Sequence, residues 1–211
     1  MTALIVCNGS IEDYSAYGRF IEKADFIIGV DGGARHLKQL GLKPDILLGD
    51  FDSIDNKDLE GYRISGTEIM KFPVEKDMTD AELAIETAIG RGHKTIIMLG
   101  VLGSRMDHSL ANIFLLKRIL DKGSKGIIAN EKNEITLIND KMEIRREEGL
   151  KITLLPLSTK VTGVNLKGFY YPLVNATLET GSTWGVSNEI TGDTGEIKIK
   201  DGLLLVIKAR D

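Results

Sequence analysis

Short apolar runs alternating with stretches of helical period fill the chain up to about residue 130, and this alternation limits the possible folds more than any other feature. The runs are 3–7, 26–30, 46–48, 68–72, 95–99 and 126–129, most of them followed directly by Gly, Asp or Asn. They are nearly continuous in apolar residues, as strands covered on both faces are, so βαβ units and a parallel sheet are expected. Thr79-Asp80-Ala81-Glu82 reads as a capping box opening a helix with Ala81, Ala84, Ile85 and Ala88 on one face and Gly90 as its stop. A second helix is expected over 107–121, with Leu110, Ile113, Phe114 and Leu120 inward and Gly123 ending it.

Beyond residue 130 the helical period disappears. Runs of β type follow at 135–138, 150–155, 161–164, 197–199 and 203–207, separated by glycines and polar turns, as in a small sandwich. The expected organisation is an α/β N-terminal domain with a mainly parallel sheet over 1–130, then an all-β sandwich domain over 131–211. No repeat of fixed period is present.

With 27 basic and 31 acidic residues the net charge is -4, and no Lys/Arg block marks a nucleic-acid footprint, so no nucleic-acid partner is expected. The single cysteine, Cys7, excludes an internal disulfide and reads as a buried small hydrophobe. The run 3–7 is too short for a signal peptide, and no stretch approaches the ~18 apolar residues of a membrane span. A cytoplasmic protein without a membrane partner is expected.

The densest chemical signal is Gly49-Asp50-Phe51-Asp52-Ser53, directly after an apolar run. In an extended chain Asp50 and Asp52 face one side and Phe51 the other, which puts two carboxylates in one small volume; an Asp-rich surface turn is the alternative. Asp77 and Asp80 bracket the start of the capped helix, and Asp107 opens the next one. All lie beyond the carboxyl ends of strands, where open α/β sheets bind ligands. Singly, Asp80 and Asp107 are first-turn acids that complement a helix dipole. Together, the carboxylates repel one another unless cations hold them, and hard oxygen donors suit Mg²⁺ shared with substrate phosphates.

Asp31-Gly32-Gly33-Ala34 and Gly100-Val101-Leu102-Gly103-Ser104-Arg105 each follow an apolar run. They offer close backbone approach to phosphate or, equally, ordinary strand-to-helix turns. Arg105 is either a bidentate phosphate ligand or the partner of a neighbouring Asp. Gly61 and Gly66 have Walker A spacing, but Thr67 stands where the lysine is required, which excludes a P-loop. Of His36, His93 and His108, only His108 lies near these motifs. In the β half, 168–172 and 181–189 concentrate aromatic and small polar residues around Tyr171 and Trp184.

Asp31-Gly32-Gly33-Ala34, Gly49-Asp50-Phe51-Asp52-Ser53, Lys76-Asp77-Met78-Thr79-Asp80, Gly103-Ser104-Arg105-Met106-Asp107-His108 and Ser187-Asn188-Glu189 together resemble the motifs of the thiamine pyrophosphokinase family. The resemblance runs in order along nearly the whole chain. It implies an ATP-binding catalytic domain, a β-sandwich that binds thiamine and dimerises, and a homodimer whose interface holds thiamine. It also implies the reaction, in which the thiamine hydroxyl attacks the β-phosphorus of ATP, giving thiamine diphosphate and AMP with Mg²⁺ as cofactor. By motif, Asp50, Asp52 and Asp80 correspond to the metal and pyrophosphate acids, and Asp77, Arg105 and Asp107 complete the catalytic set. Asp31, Gly32, Gly33, Thr79, Gly103, Ser104, Arg105 and His108 fall in ATP-binding segments, and Tyr171, Trp184, Ser187 and Asn188 in thiamine-binding ones. Animal members carry Trp where this chain has Tyr171. The residues alone also admit an aspartate-dependent phosphohydrolase, from the Asp-x-Asp at 50–52, a nucleotide-sensing module, or a pyrophosphokinase acting on another small alcohol.

Overall fold

A computed structural model describes residues 1–52, 54–73, 75 and 77–210, together with the backbone but not the side chain of Asn56. Ser53 and Lys76, quoted in two of the motifs above, lie outside the described residues. The chain divides into two units, Met1–Glu131 and Lys132–Asp211.

In the first unit the apolar runs form β1 (Thr2–Val6), β2 (Phe26–Val30), β3 (Ile46–Gly49), β4 (Glu68–Lys71), β5 (Thr95–Leu99) and β6 (Lys125–Ala129). They pair in parallel in the order β4-β3-β2-β1-β5-β6. Ala3, Leu4, Ile5 and Val6 of β1 are all fully buried, as a strand covered on both faces requires. Short Tyr14–Tyr17 and α1 (Gly18–Ile21) segments, then α2 (Gly33–Gln39), α3 (Asn56–Ile64), α4 (Asp80–Gly90) and α5 (Met106–Asp121), connect the strands. Leu4, Val6, Tyr17, Phe20, Leu37, Leu47, Ile97 and Leu99 make a core between strands and helices. Because β2 lies on one side of β1 and β5 on the other, the sheet order reverses at β1, and a crevice opens beyond the carboxyl ends there.

The helix signals hold at α4, where Thr79 Oγ1 accepts the Glu82 N–H at 3.2 Å, although Gly90 is the last helical residue and not the stop. Helix α5 departs further from expectation. Its buried residues are Ser109, Leu116 and Ile119, whereas Leu110 and Phe114, expected inward, are 46% and 57% exposed. Ile113 and Leu120, also expected inward, are half-buried, and Ser109 and Asn112 turn inward as well to hold the loop over 100–105.

The second unit contains β7 (Asn133–Ile138), β8 (Lys141–Arg145), β9 (Lys151–Pro156), β10 (Lys160–Lys167), β11 (Leu173–Glu179), β12 (Thr194–Lys198) and β13 (Leu204–Ala209). Within it, antiparallel β7-β13-β9 faces the antiparallel sheet β11-β10-β12-β8. Ile152, Leu154, Leu204 and Val206 meet Val161, Val164, Leu166 and Ile197 between the layers, each such burial contributing ~1.5 to 3 kcal/mol. Strands β8 and β11 fall outside the runs read from the sequence, although the period-two alternation of β8 was an available signal. The first alternates charged residues with Met142 and Ile144, and the second contains Asn175 at φ 48° and pairs with β10 through shifted register.

Candidate active site

The crevice at the strand reversal is a cavity of about 930 Å³ in the first unit. Its floor is set by two backbone bonds between the loops after β1 and β5: Cys7 N–H to the Leu99 carbonyl at 2.9 Å and Gly9 N–H to the Gly100 carbonyl at 2.7 Å. Asp31, Asp50, Asp52, Thr79, Asp80, Gly103, Ser104, Arg105, Asp107 and His108 all line it.

Asp31 follows β2 in the left-handed region, with φ 45°. Its Oδ1 accepts the Asp50 N–H at 3.1 Å, tying the ends of β2 and β3 together. Gly49 makes this possible, because a Cβ there would stand 1.6 Å from Asp31 Oδ1. Burial, then the charges of Asp80 and Asp50, push the Asp31 carboxyl up to about 6. The acids therefore share one electrostatic environment.

The chain over 50–52 is not extended as expected. Phe51 adopts φ 62° and buries its ring in the core, and Asp50 Oδ1 accepts the Asp52 N–H at 3.0 Å, closing an Asx turn. Asp50 and Asp52 reach the cavity from this turn and not from strand alternation.

Helix α5 shapes the loop over 100–105. Asn112 Nδ2 donates to the Val101 carbonyl at 2.8 Å, and Ser109 Oγ accepts the Gly103 N–H at 3.1 Å. The same hydroxyl lies 3.2 Å from the Gly103 and Arg105 carbonyls. The Gly103 amide is thus committed to the protein. Arg105 clasps Asp107 through Nε at 3.1 Å and Nη2 at 2.5 Å, and this holds the exposed Asp107 carboxyl down at about 2.

Three predicted positions of the first unit do not line the cavity. Gly32 and Gly33 are buried behind it, where a Cβ would meet the Asn8 side chain at 2.4 Å or the Val6 carbonyl at 2.1 Å; these glycines let α2 approach β1. Asp77 is exposed beside the mouth of α4. Conversely, Asn8, Gly9, Ser10, Ser109 and Asn112 line the cavity without having been singled out. An Asn-Gly turn directly after the first strand was the available signal for three of them. His36 supports that turn from behind: its Nε2–H donates to the Gly9 carbonyl and its Nδ1 accepts from the Tyr14 hydroxyl, each at 2.8 Å. Burial of Cys7 pushes its thiol up to about 12, so it supplies no thiolate.

In the second unit, Tyr171 and Trp184 are each 63% exposed, and Tyr170 meets Tyr171 edge-on with ring centres 4.8 Å apart. Ser187 is exposed at φ 58°, whereas Asn188 beside it is buried.

Residues 17–128 match the family model for the thiamin pyrophosphokinase catalytic domain, and residues 140–204 match that for the thiamin pyrophosphokinase vitamin B1 binding domain. The chain belongs to the thiamin pyrophosphokinase family. The thiamine pyrophosphokinase of Bacillus subtilis is 32% identical over 186 residues, covering 87% of each chain. Thiamin pyrophosphokinase 1 of Caenorhabditis elegans is 26% identical over 199 residues, 88% of this chain and 80% of its own. The crystal structure of the Bacillus subtilis thiamine pyrophosphokinase superposes with a TM-score of 0.90 at 29% identity over 100% of both chains. That of the Geobacillus thermodenitrificans protein gives 0.85 at 29% identity, over 100% of this chain and 98% of its own.

The thiamin pyrophosphokinase catalytic match contains every acidic residue of the cavity, and the vitamin B1 binding match contains Tyr171, Trp184, Ser187 and Asn188. Asn8, Gly9 and Ser10 lie ahead of both.

Proposed function

We propose that this thiamin pyrophosphokinase family member transfers the pyrophosphoryl group of ATP to the hydroxyl of thiamine. The thiamine oxygen bonds to the β-phosphorus, the bond from that phosphorus to the α–β bridging oxygen breaks, AMP leaves, and the hydroxyl proton is released. The observation that carries this reading is the convergence of Asp31, Asp50, Asp52 and Asp80 with Arg105 in one cavity at the strand reversal.

Among the described residues no three acids, histidines or cysteines form a ready-made metal cluster. A hard-oxygen set in which burial, then the charges of Asp80 and Asp50, raise the proton affinity of Asp31 fits Mg²⁺ held by one or two carboxylates and completed by substrate phosphates. Asp50, Asp52 and Asp80 would hold it, and when bound it offsets phosphate charge and orients the transferring group. Asp31 keeps the Asp50 turn in place, and Arg105, braced by Asp107, presents its remaining N–H donors to a phosphate. Ser109 and Asn112 fix the loop that carries Arg105.

Exposed Tyr171 and Trp184 suit the flat pyrimidine and cationic thiazolium of thiamine. Exposed Tyr170, Tyr171, Val174, Trp184 and Val186 also leave apolar surface on the β unit, which supports a homodimer joined there. No helix among the described residues is long and apolar enough to cross a membrane, and a cytoplasmic location agrees with the single buried cysteine.

Incubation with ATP, Mg²⁺ and thiamine tests the reading. AMP formed only when thiamine is present supports it, whereas phosphate released from simple esters supports the hydrolase alternative, which family membership does not favour.

A further inference from the structure

We propose that Asn188 is a positioning residue that acts on thiamine only through Tyr171; the inference rests on the activity proposed above and reassigns one residue within it. The side chain is 6% exposed. Its Oδ1 accepts the N–H of Tyr171 at 3.0 Å and that of Glu189 at 2.9 Å, and its Nδ2 donates to the Tyr171 carbonyl at 2.8 Å. A carboxamide offers two acceptor sites and two donors, so three of the four are spent on backbone. Both backbone groups of Tyr171 are therefore held by one side chain.

The anchor is itself anchored. Asn188 N–H donates to the Ile152 carbonyl at 2.9 Å and Ile152 N–H returns to the Asn188 carbonyl at 2.8 Å, fastening it to β9. Tyr170 N–H adds a bond to the Glu189 carbonyl at 2.8 Å. Immediately before, Ser187 sits at φ 58° with its N–H on Thr153 Oγ1 at 3.0 Å. A left-handed serine persists only where its surroundings over-determine it. The result is a rigid seat beneath an aromatic ring that remains 63% exposed. One Nδ2–H remains, on a side chain only 6% exposed, while the other three sites hold the segment that presents Tyr171. The sequence places Asn188 and Tyr171 in the same class of residue, whereas the geometry gives one the ligand face and the other its support.

The test is a double-mutant cycle read in the thiamine KM, with thiamine Kd by calorimetry alongside. Asn188→Asp keeps the two acceptor sites and replaces the donor to the Tyr171 carbonyl with an opposing oxygen. It is expected to raise the thiamine KM at least about fivefold while kcat and the ATP KM stay within about twofold. In a Tyr171→Ala background the same change is expected to add less than about twofold, because its route to the ligand is already gone. Should Asn188→Asp lose its cooperative melt, Asn188→Ser replaces it in the cycle. An equal multiplication of KM in both backgrounds overturns the proposal, as does a Tyr171→Ala protein with unchanged thiamine KM. Wild-type protein that binds no thiamine by calorimetry defeats instead the activity on which the proposal rests.

Discussion

Asp31 Oδ1 accepts the backbone N–H of Asp50 at 3.1 Å, so a carboxylate on one strand end sets the position of a second on the next. Both are then held near Asp80 in the same cavity, and the burial, then the repulsion, that raise the Asp31 pKa are sustained by the fold. A proton affinity raised in this way, in a cleft, marks a candidate functional site.

Gly49→Ala tests that link. The new Cβ, 1.6 Å from Asp31 Oδ1, forces the Asp31–Asp50 bond to open. Overpacking of this kind costs about 1 to 3 kcal/mol, and activity should fall with it. Urea unfolding showing a loss below about 0.5 kcal/mol, the scale of an ordinary surface change, would contradict the account.

Asp52→Asn removes an exposed charge at the cavity and leaves the Asx turn, which uses the Asp52 N–H and not its side chain. The melting curve should hardly move. Turnover should fall well over tenfold, since loss of one metal-holding carboxylate costs on the order of several kcal/mol in the transition state. More than about a tenth of wild-type rate, roughly 1.4 kcal/mol, speaks against the assignment.

His36 predicts a pH dependence of stability. Burial, the largest cause, lowers its pKa below that of the unfolded chain. The unfolded state therefore takes up a proton first as pH falls, so this contribution is full above the ordinary histidine pKa of about 6.5 and is lost as pH drops through the lower folded value. His36→Gln should flatten the decline in stability between pH 7 and 5. An unchanged slope in denaturant titrations across that range would show that His36 is not its source.

How far the site could be read in advance depended on whether backbone or side chain carried the information. Strand runs and the Thr79 cap were legible because burial on both faces and capping leave strong local patterns. The α5 face was legible only in part, because buried Ser109 and half-buried Asn112 turn inward for loop contacts that no periodicity reveals. Left-handed Phe51 was also hidden: nothing local forbids an extended Asp-Phe-Asp, and the turn arises from burial of the ring together with the Asp50 bond to Asp52. Gly32 and Gly33 admitted either a close approach to phosphate or an ordinary strand-to-helix turn, and the contacts a Cβ would make with Asn8 or Val6 show the close helix–strand packing that no local pattern distinguishes.

Trp184→Ala should raise the thiamine KM more than the ATP KM. An aromatic face over a cationic ring contributes ~0.5 to 2 kcal/mol, and Trp184 is exposed enough to supply one without disturbing the core. Steady-state kinetics with each substrate varied in turn decide it, and equal effects on both would make Trp184 a structural residue.

The central claim, pyrophosphoryl transfer, is tested most directly by following the γ-phosphate of ATP. With γ-³²P-labelled ATP, Mg²⁺ and thiamine, the account predicts label in thiamine diphosphate, with unlabelled AMP formed in equal amount and no ADP. Labelled thiamine monophosphate with ADP, or labelled inorganic phosphate formed without thiamine, would contradict it.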